Sequence, residues 1–106
     1  QDEAVGIVLC RNGVGVSIAA NRYLGVRCVL GFDEKQVERA RKDDDVNCLA
    51  LPADYIDLEK AKKLVGKFLE TDFEKKEKYV RRLEKLEGMG GGCLACRQTG
   101  CGGGCC

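Results

Sequence analysis

A chain of 106 residues holds one domain with a modest core, and its 44% hydrophobic content is ordinary for a globular protein. With 18 Lys and Arg against 17 Asp and Glu, the net charge of +1 gives no basic footprint for nucleic acid. No apolar run approaches the roughly 20 residues of a membrane span, and no basic segment followed by an apolar one opens the chain as a leader. A cytoplasmic protein without membrane or nucleic-acid partners is the expectation.

The first residue is Gln1 rather than Met, so the sequence reads as a carboxyl-terminal fragment. Ala4 to Leu9 is short, apolar and without alternation, which predicts a buried strand that is internal to a larger sheet. Cys10-Arg11-Asn12-Gly13-Val14-Gly15-Val16-Ser17 then joins this strand to a helix over Val14 to Asn21, with Val14, Ile18 and Asn21 on one side. After the Gly25 break, Val26 to Leu30 is a second strand, and Asp33 caps a helix over Glu34 to Lys42 with Val37 and Ala40 inward. Asp43-Asp44-Asp45 carries too much charge to be buried together and forms a loop or a solvated helix end, not a metal site, because adjacent carboxylates do not converge.

Val46 to Leu51 is the third strand, broken at Pro52 and Ala53. Asp57 caps a helix from Leu58 to Leu69 that carries Ala61, Leu64, Val65 and Phe68 at helical spacing. A charged helix over Phe73 to Leu86 bears the narrow stripe Phe73, Val80, Leu83 and Leu86. Strands alternating with helices predict βαβ units and a parallel sheet in a domain over residues 1–87. Residues 88–106 form a Gly/Cys-rich tail without periodicity, expected to be disordered. Its Cys93, Cys96, Cys101 and Cys105 could supply four thiolates to zinc, but there is a single C-x-x-C and no histidine in the chain.

The absence of histidine also removes the commonest acid and base near neutral pH. Cys10 takes its place as the candidate. A thiol at a strand end, before the amino end of a helix, is shifted toward the thiolate, and a glycine-lined turn exposes amides to an oxyanion. The same position is also compatible with a small, inert, buried cysteine.

Read in order, L-C-R-N-G-V-G-V-S-I-A-A-N-R, then G-V-R-C-V-L, then D-D-D-V-N-C-L-A-L-P-A, the chain resembles the ribose-5-phosphate isomerase B and galactose-6-phosphate isomerase family from about Val5 to Leu86. The resemblance implies a Rossmann-like, three-layer α/β/α fold that here lacks its amino-terminal part. It also implies aldose–ketose isomerisation of a phosphorylated sugar, by default ribose 5-phosphate in the pentose phosphate pathway, without metal or cofactor. A homodimer or dimer of dimers with shared sites is implied as well.

Cys10 then matches the base that moves a proton between C1 and C2, and Asn12 stands where Thr or Ser is usual. Gly13, Val14, Gly15, Ser17 and Asn47 match substrate-binding positions, and Arg82 keeps the charge of the last helix. The departures fall on the substrate side. Asp43 replaces a histidine linked to ring opening, Asp54 replaces a phosphate-binding arginine, and Lys78 and Tyr79 replace an arginine-histidine pair. A divergent isomerase is the leading reading, with the fragment alone inactive; a non-catalytic dimeric ligand-binding module that retained the fold is the alternative.

Overall fold

The computed structural model describes residues 4–89, and the cysteines of the tail lie outside them. Its elements run β1 (Gly6–Cys10), α1 (Val14–Asn21), β2 (Cys28–Leu30), α2 (Glu34–Asp44), β3 (Cys48–Pro52), α3 (Leu58–Glu70) and α4 (Glu77–Glu87). All three strands are parallel, in the order β1-β3-β2. The sheet therefore has β3 at its centre, and every residue of that strand is buried.

The order fixes the layers. From β1 the chain crosses over the place of β3 to reach β2, and from β2 it turns back to β3. Right-handed crossovers in opposite directions put their helices on opposite faces. Rows of register partners show the same division. Val8, Ala50 and Leu30 share a row, as do Gly6, Cys48 and Cys28; α1 lies on this face, and its Val16, Ala19 and Ala20 line an open apolar cavity with Gly6, Val8 and Cys48. The opposite face brings Leu49 and Leu51 against Val37 of α2 and Leu64 and Phe68 of α3, which together with Val46 form the buried core. The Rossmann-like three-layer expectation holds.

Asp33 and Asp57 cap α2 and α3 as the sequence predicts. The Asp33 carboxylate accepts from the Lys35 and Gln36 amides, and that of Asp57 accepts from the Lys60 amide.

Two faces differ from expectation. On α1 the residues turned to the sheet include Val16 and Ala20, while Val14 and Ile18 are exposed. Both sets recur at helical spacing, and it is the small side chains that allow α1 close to the strands. The last helix begins at Glu77, four residues after Phe73, because Lys75 has φ +53°, a left-handed conformation that a helix cannot continue. Its buried residue is Tyr79, whereas Val80 and Leu86 of the predicted stripe are exposed. Strand ends also shift, β1 running through Cys10 and β3 through Pro52. The acidic run is a helix end: Asp43 and Asp44 close α2 and Asp45 adopts φ +49°.

Candidate active site

Adjacent strands whose following helices leave toward opposite faces open a crevice at their carboxyl edge, and β1 and β3 form that pair. Cys10 and Pro52 are register partners there. Across the crevice the Ala53 amide donates to Cys10 O at 2.9 Å and the Asp54 amide to Arg11 O at 2.8 Å, so the two loops are laced by their backbones.

Cys10 is half-buried, and the Gly13 amide donates to its Sγ at 3.3 Å. The backbone N–H of Val16 does most to hold the thiol below its ordinary value. Partial desolvation opposes it, and the Gly13, Asn12 and Gly15 amides add to it. The shift follows from the first turn of a helix, whose amides have no partners within the helix. Among the cysteines, Cys28 behaves in the opposite way. Burial, and Cys48 beside it on β3, push its thiol up to about 12.

Gly13 makes the turn possible. It has φ +79°, and a Cβ there would collide with Leu30 Cδ1 and lie 3.2 Å from Pro52 N. Because glycine brings no side chain to cap α1, Asn12 does so from one residue upstream: its Oδ1 accepts from the Val14 amide at 3.1 Å and lies 4.0 Å from Cys10 Sγ. Ser17 sits one turn along, with its hydroxyl donating to Val14 O at 2.8 Å. The structure thus brings Cys10, Asn12, Gly13, Val14, Gly15 and Ser17 together.

Within this chain Asn47 and Arg82 are not brought to this place. Asn47 precedes β3, at the amino edge of the sheet, the length of a strand away from Cys10. Both ends of its amide are engaged there, Oδ1 by the Arg27 amide at 2.8 Å and Nδ2 by Gly25 O at 2.9 Å. It pins the approach to β2. Arg82 lies over the Tyr79 ring, 5.8 Å from its centroid, in a cluster with Arg39, Lys76, Lys78 and the carboxylates that end α2. In that cluster burial, and Asp43 beside it, raise the Asp44 carboxyl above its ordinary value against the pull of Arg82.

Sequence reasoning leaves out Arg11. Its Nε donates to Asp54 Oδ2 at 2.9 Å, so the carboxylate at the crevice is paired. Opposite charges just beyond two strand ends were the available signal, but nothing local says that β1 and β3 are neighbours.

Residues 1–86 match the Ribose/Galactose Isomerase family. Ribose-5-phosphate isomerase B of Escherichia coli is 38% identical over 69 residues, which are 65% of this chain and 46% of that protein. D-erythrulose-4-phosphate isomerase of Pectobacterium atrosepticum is 39% identical over 69 residues, 65% of this chain and 45% of that protein. The ribose 5-phosphate isomerase structure from Thermotoga maritima superposes with a TM-score of 0.77 at 39% identity, covering 80% of this chain and 58% of that one. The ribose-5-phosphate isomerase B of Mycoplasma genitalium, solved with bound ribulose-5-phosphate, gives 0.77 at 36% identity over 81% of this chain and 56% of that one. The chain spans about half the length of the relatives it matches. On the match across residues 1–86 and this shared fold, the chain belongs to the ribose/galactose isomerase family.

Proposed function

We propose that the full-length protein interconverts an aldose phosphate and its ketose, with ribose 5-phosphate and ribulose 5-phosphate as the first pair to assay. The observation that carries this reading is a thiol held toward its thiolate by helix amides at the crevice between β1 and β3. As base, the Cys10 thiolate takes the proton from C2 of the open-chain aldose, leaving a cis-enediolate with negative charge on the former carbonyl oxygen. The O2 hydroxyl proton then passes to O1, which moves the charge to O2, and the resulting thiol returns its proton to C1 as C2 becomes the carbonyl, which gives the ketose. Residue and substrate end the cycle with their atoms balanced.

Donors aimed at the developing oxyanion lower the barrier. The Gly13 and Val14 amides are engaged by Sγ and by Asn12 Oδ1, and those of Gly15 and Val16 hold the thiolate, so Asn12 Nδ2 is the donor assigned to the substrate at the outset, joined by the Gly15 and Val16 amides once the thiolate has taken up the proton. The Ser17 hydroxyl, having given its hydrogen to Val14 O, serves as an acceptor at the rim. Because thiolate and amides carry the charge, the step uses no cofactor.

On this reading the protein is a cytoplasmic homodimer of the pentose phosphate pathway. Pairing is supported by the sheet's length between Cys10 and Arg82, which a second copy can bridge, and by exposed Phe32, Tyr55 and Leu58 around the crevice. The test is exchange of the substrate C2 proton with solvent deuterium, followed by NMR across a panel of pentose and hexose phosphates. Exchange that disappears in Cys10→Ala supports the reading. No exchange with any sugar phosphate, or exchange indifferent to that substitution, refutes it.

A further inference from the structure

The loops that follow β1, β2 and β3 at the carboxyl edge, residues 11–13, 31–33 and 53–57, carry four charged side chains: Arg11, Asp33, Asp54 and Asp57. Three of the four are carboxylates, an unfavourable balance for a phosphate dianion. Each carboxylate is nevertheless engaged. Asp33 and Asp57 accept from amides at the starts of α2 and α3, and Asp54 accepts from Arg11 Nε at 2.9 Å.

Arg11 is the one cation of these loops. A guanidinium has five N–H donors in a rigid fork. One is spent on Asp54, and among the described residues the other four have no hydrogen-bond partner; the side chain is 90% exposed. Asp54 is itself fixed, since its amide donates to Arg11 O at 2.8 Å. Backbone and side chain of the pair thus hold each other, and the terminal edge of the guanidinium is left facing solvent on the residue that follows Cys10.

We propose that Arg11 is the phosphate-recognising side chain of this site and that Asp54 is its positioning residue. The inference rests on the isomerase reading. Two phosphate oxygens of an open-chain sugar phosphate accept from the free edge of Arg11, a two-point bond that an ammonium cannot copy. The sugar's carbonyl end then lies at Cys10. Asp54, which as an isolated charge would repel the phosphate, acts instead through Arg11 by holding Nε.

The probe is inorganic phosphate, titrated into the full-length 15N-labelled protein at constant ionic strength with chloride as the replaced anion. The Arg11 Nε–Hε signal and the Gly15 and Val16 amides are followed. Wild type is expected to show saturable shifts. Arg11→Ala and Arg11→Lys weaken binding at least tenfold, while unchanged amide spectra away from the turn show that the fold is kept. Asp54→Asn separates positioning from charge. Loss of a negative charge alone would tighten phosphate, whereas loss of the Arg11 anchor loosens it about threefold, and Asp54→Glu restores binding to within twofold.

Absence of saturable shifts in wild type, Arg11→Ala binding within twofold of wild type, or tightening in Asp54→Asn overturns the proposal. The C2 exchange assay reports separately on isomerisation. Exchange that depends on Cys10, with phosphate affinity indifferent to Arg11, overturns this inference and leaves the isomerase standing; Arg11-dependent binding without exchange does the reverse.

Discussion

Gly13 and Gly15 are two residues apart in one turn, yet alanine at these positions is expected to act with opposite signs. At position 13 the backbone has φ +79°, where a side chain costs about 1–2 kcal/mol. The new Cβ also meets Leu30 Cδ1 and comes within 3.2 Å of N and 3.3 Å of Cα in Pro52. The leucine terminus can rotate away, but Pro52 is backbone in the central strand and cannot, so an overpacking cost of about 1–3 kcal/mol adds to the first. Gly13→Ala should therefore lose about 2–5 kcal/mol.

At position 15 the residue is helical and a Cβ meets nothing within 4 Å. Gly15→Ala should gain about 0.4–1 kcal/mol, because alanine loses less backbone entropy on folding. Urea unfolding followed by circular dichroism measures both; in a domain of this size, 1 kcal/mol corresponds to roughly 4–8 °C in Tm. A Gly13→Ala variant within about 0.5 kcal/mol of wild type would refute the strained turn. So would a Gly15→Ala variant that is the more damaged of the two.

Other substitutions and a pH series test the remaining features. Phe68 is fully buried with the Arg41 guanidinium 4.9 Å from its ring centroid, so Phe68→Ala should cost about 3–5 kcal/mol in urea unfolding; a loss below about 1 would mean the core is elsewhere. Asn21 imitates a strand, its Oδ1 accepting from Cys28 N at 2.7 Å and its Nδ2 donating to Cys28 O at 3.0 Å, and Asn21→Ala should cost about 1–2 kcal/mol while faster amide exchange appears at Cys28. Unchanged exchange there would contradict the capping of this edge.

Alkylation mapped by mass spectrometry should give Cys10 a half-maximal rate below the ordinary thiol value of 9.0, with Cys28 still unmodified where Cys10 is complete; equal profiles would contradict the two environments. For Cys28 the folded value lies above the unfolded one, so between 9.0 and about 12 the folded state holds the proton that the unfolded state has lost. Its contribution to stability is full below 9.0 and declines as pH rises through that window.

Much of the domain was legible because its signals are local. The apolar run before Cys10 and the helix from Val14 to Asn21 are written in a few neighbouring residues, and so are the caps at Asp33 and Asp57. Alternation of strand and helix was enough for a parallel sheet, since a strand can rejoin its sheet in parallel only through a crossover. The start of α4 was not legible. Phe73 and Val80 have helical spacing whether or not the chain between them is helical, and only the backbone at Lys75 decides.

By itself the sequence determined the order of elements and the local chemistry of the Cys10 turn, since adjacent residues supply both the thiol and the amides that hold it. Which strands are neighbours was decided by the tertiary structure. The order β1-β3-β2 puts Cys10 beside Pro52 and converts Asp54 from a lone carboxylate into the partner of Arg11, while the packing of α4 on α2 sets Arg82 over Tyr79. Strand order depends on how the helices pack their apolar faces across the whole sheet, and no window of sequence contains that sum.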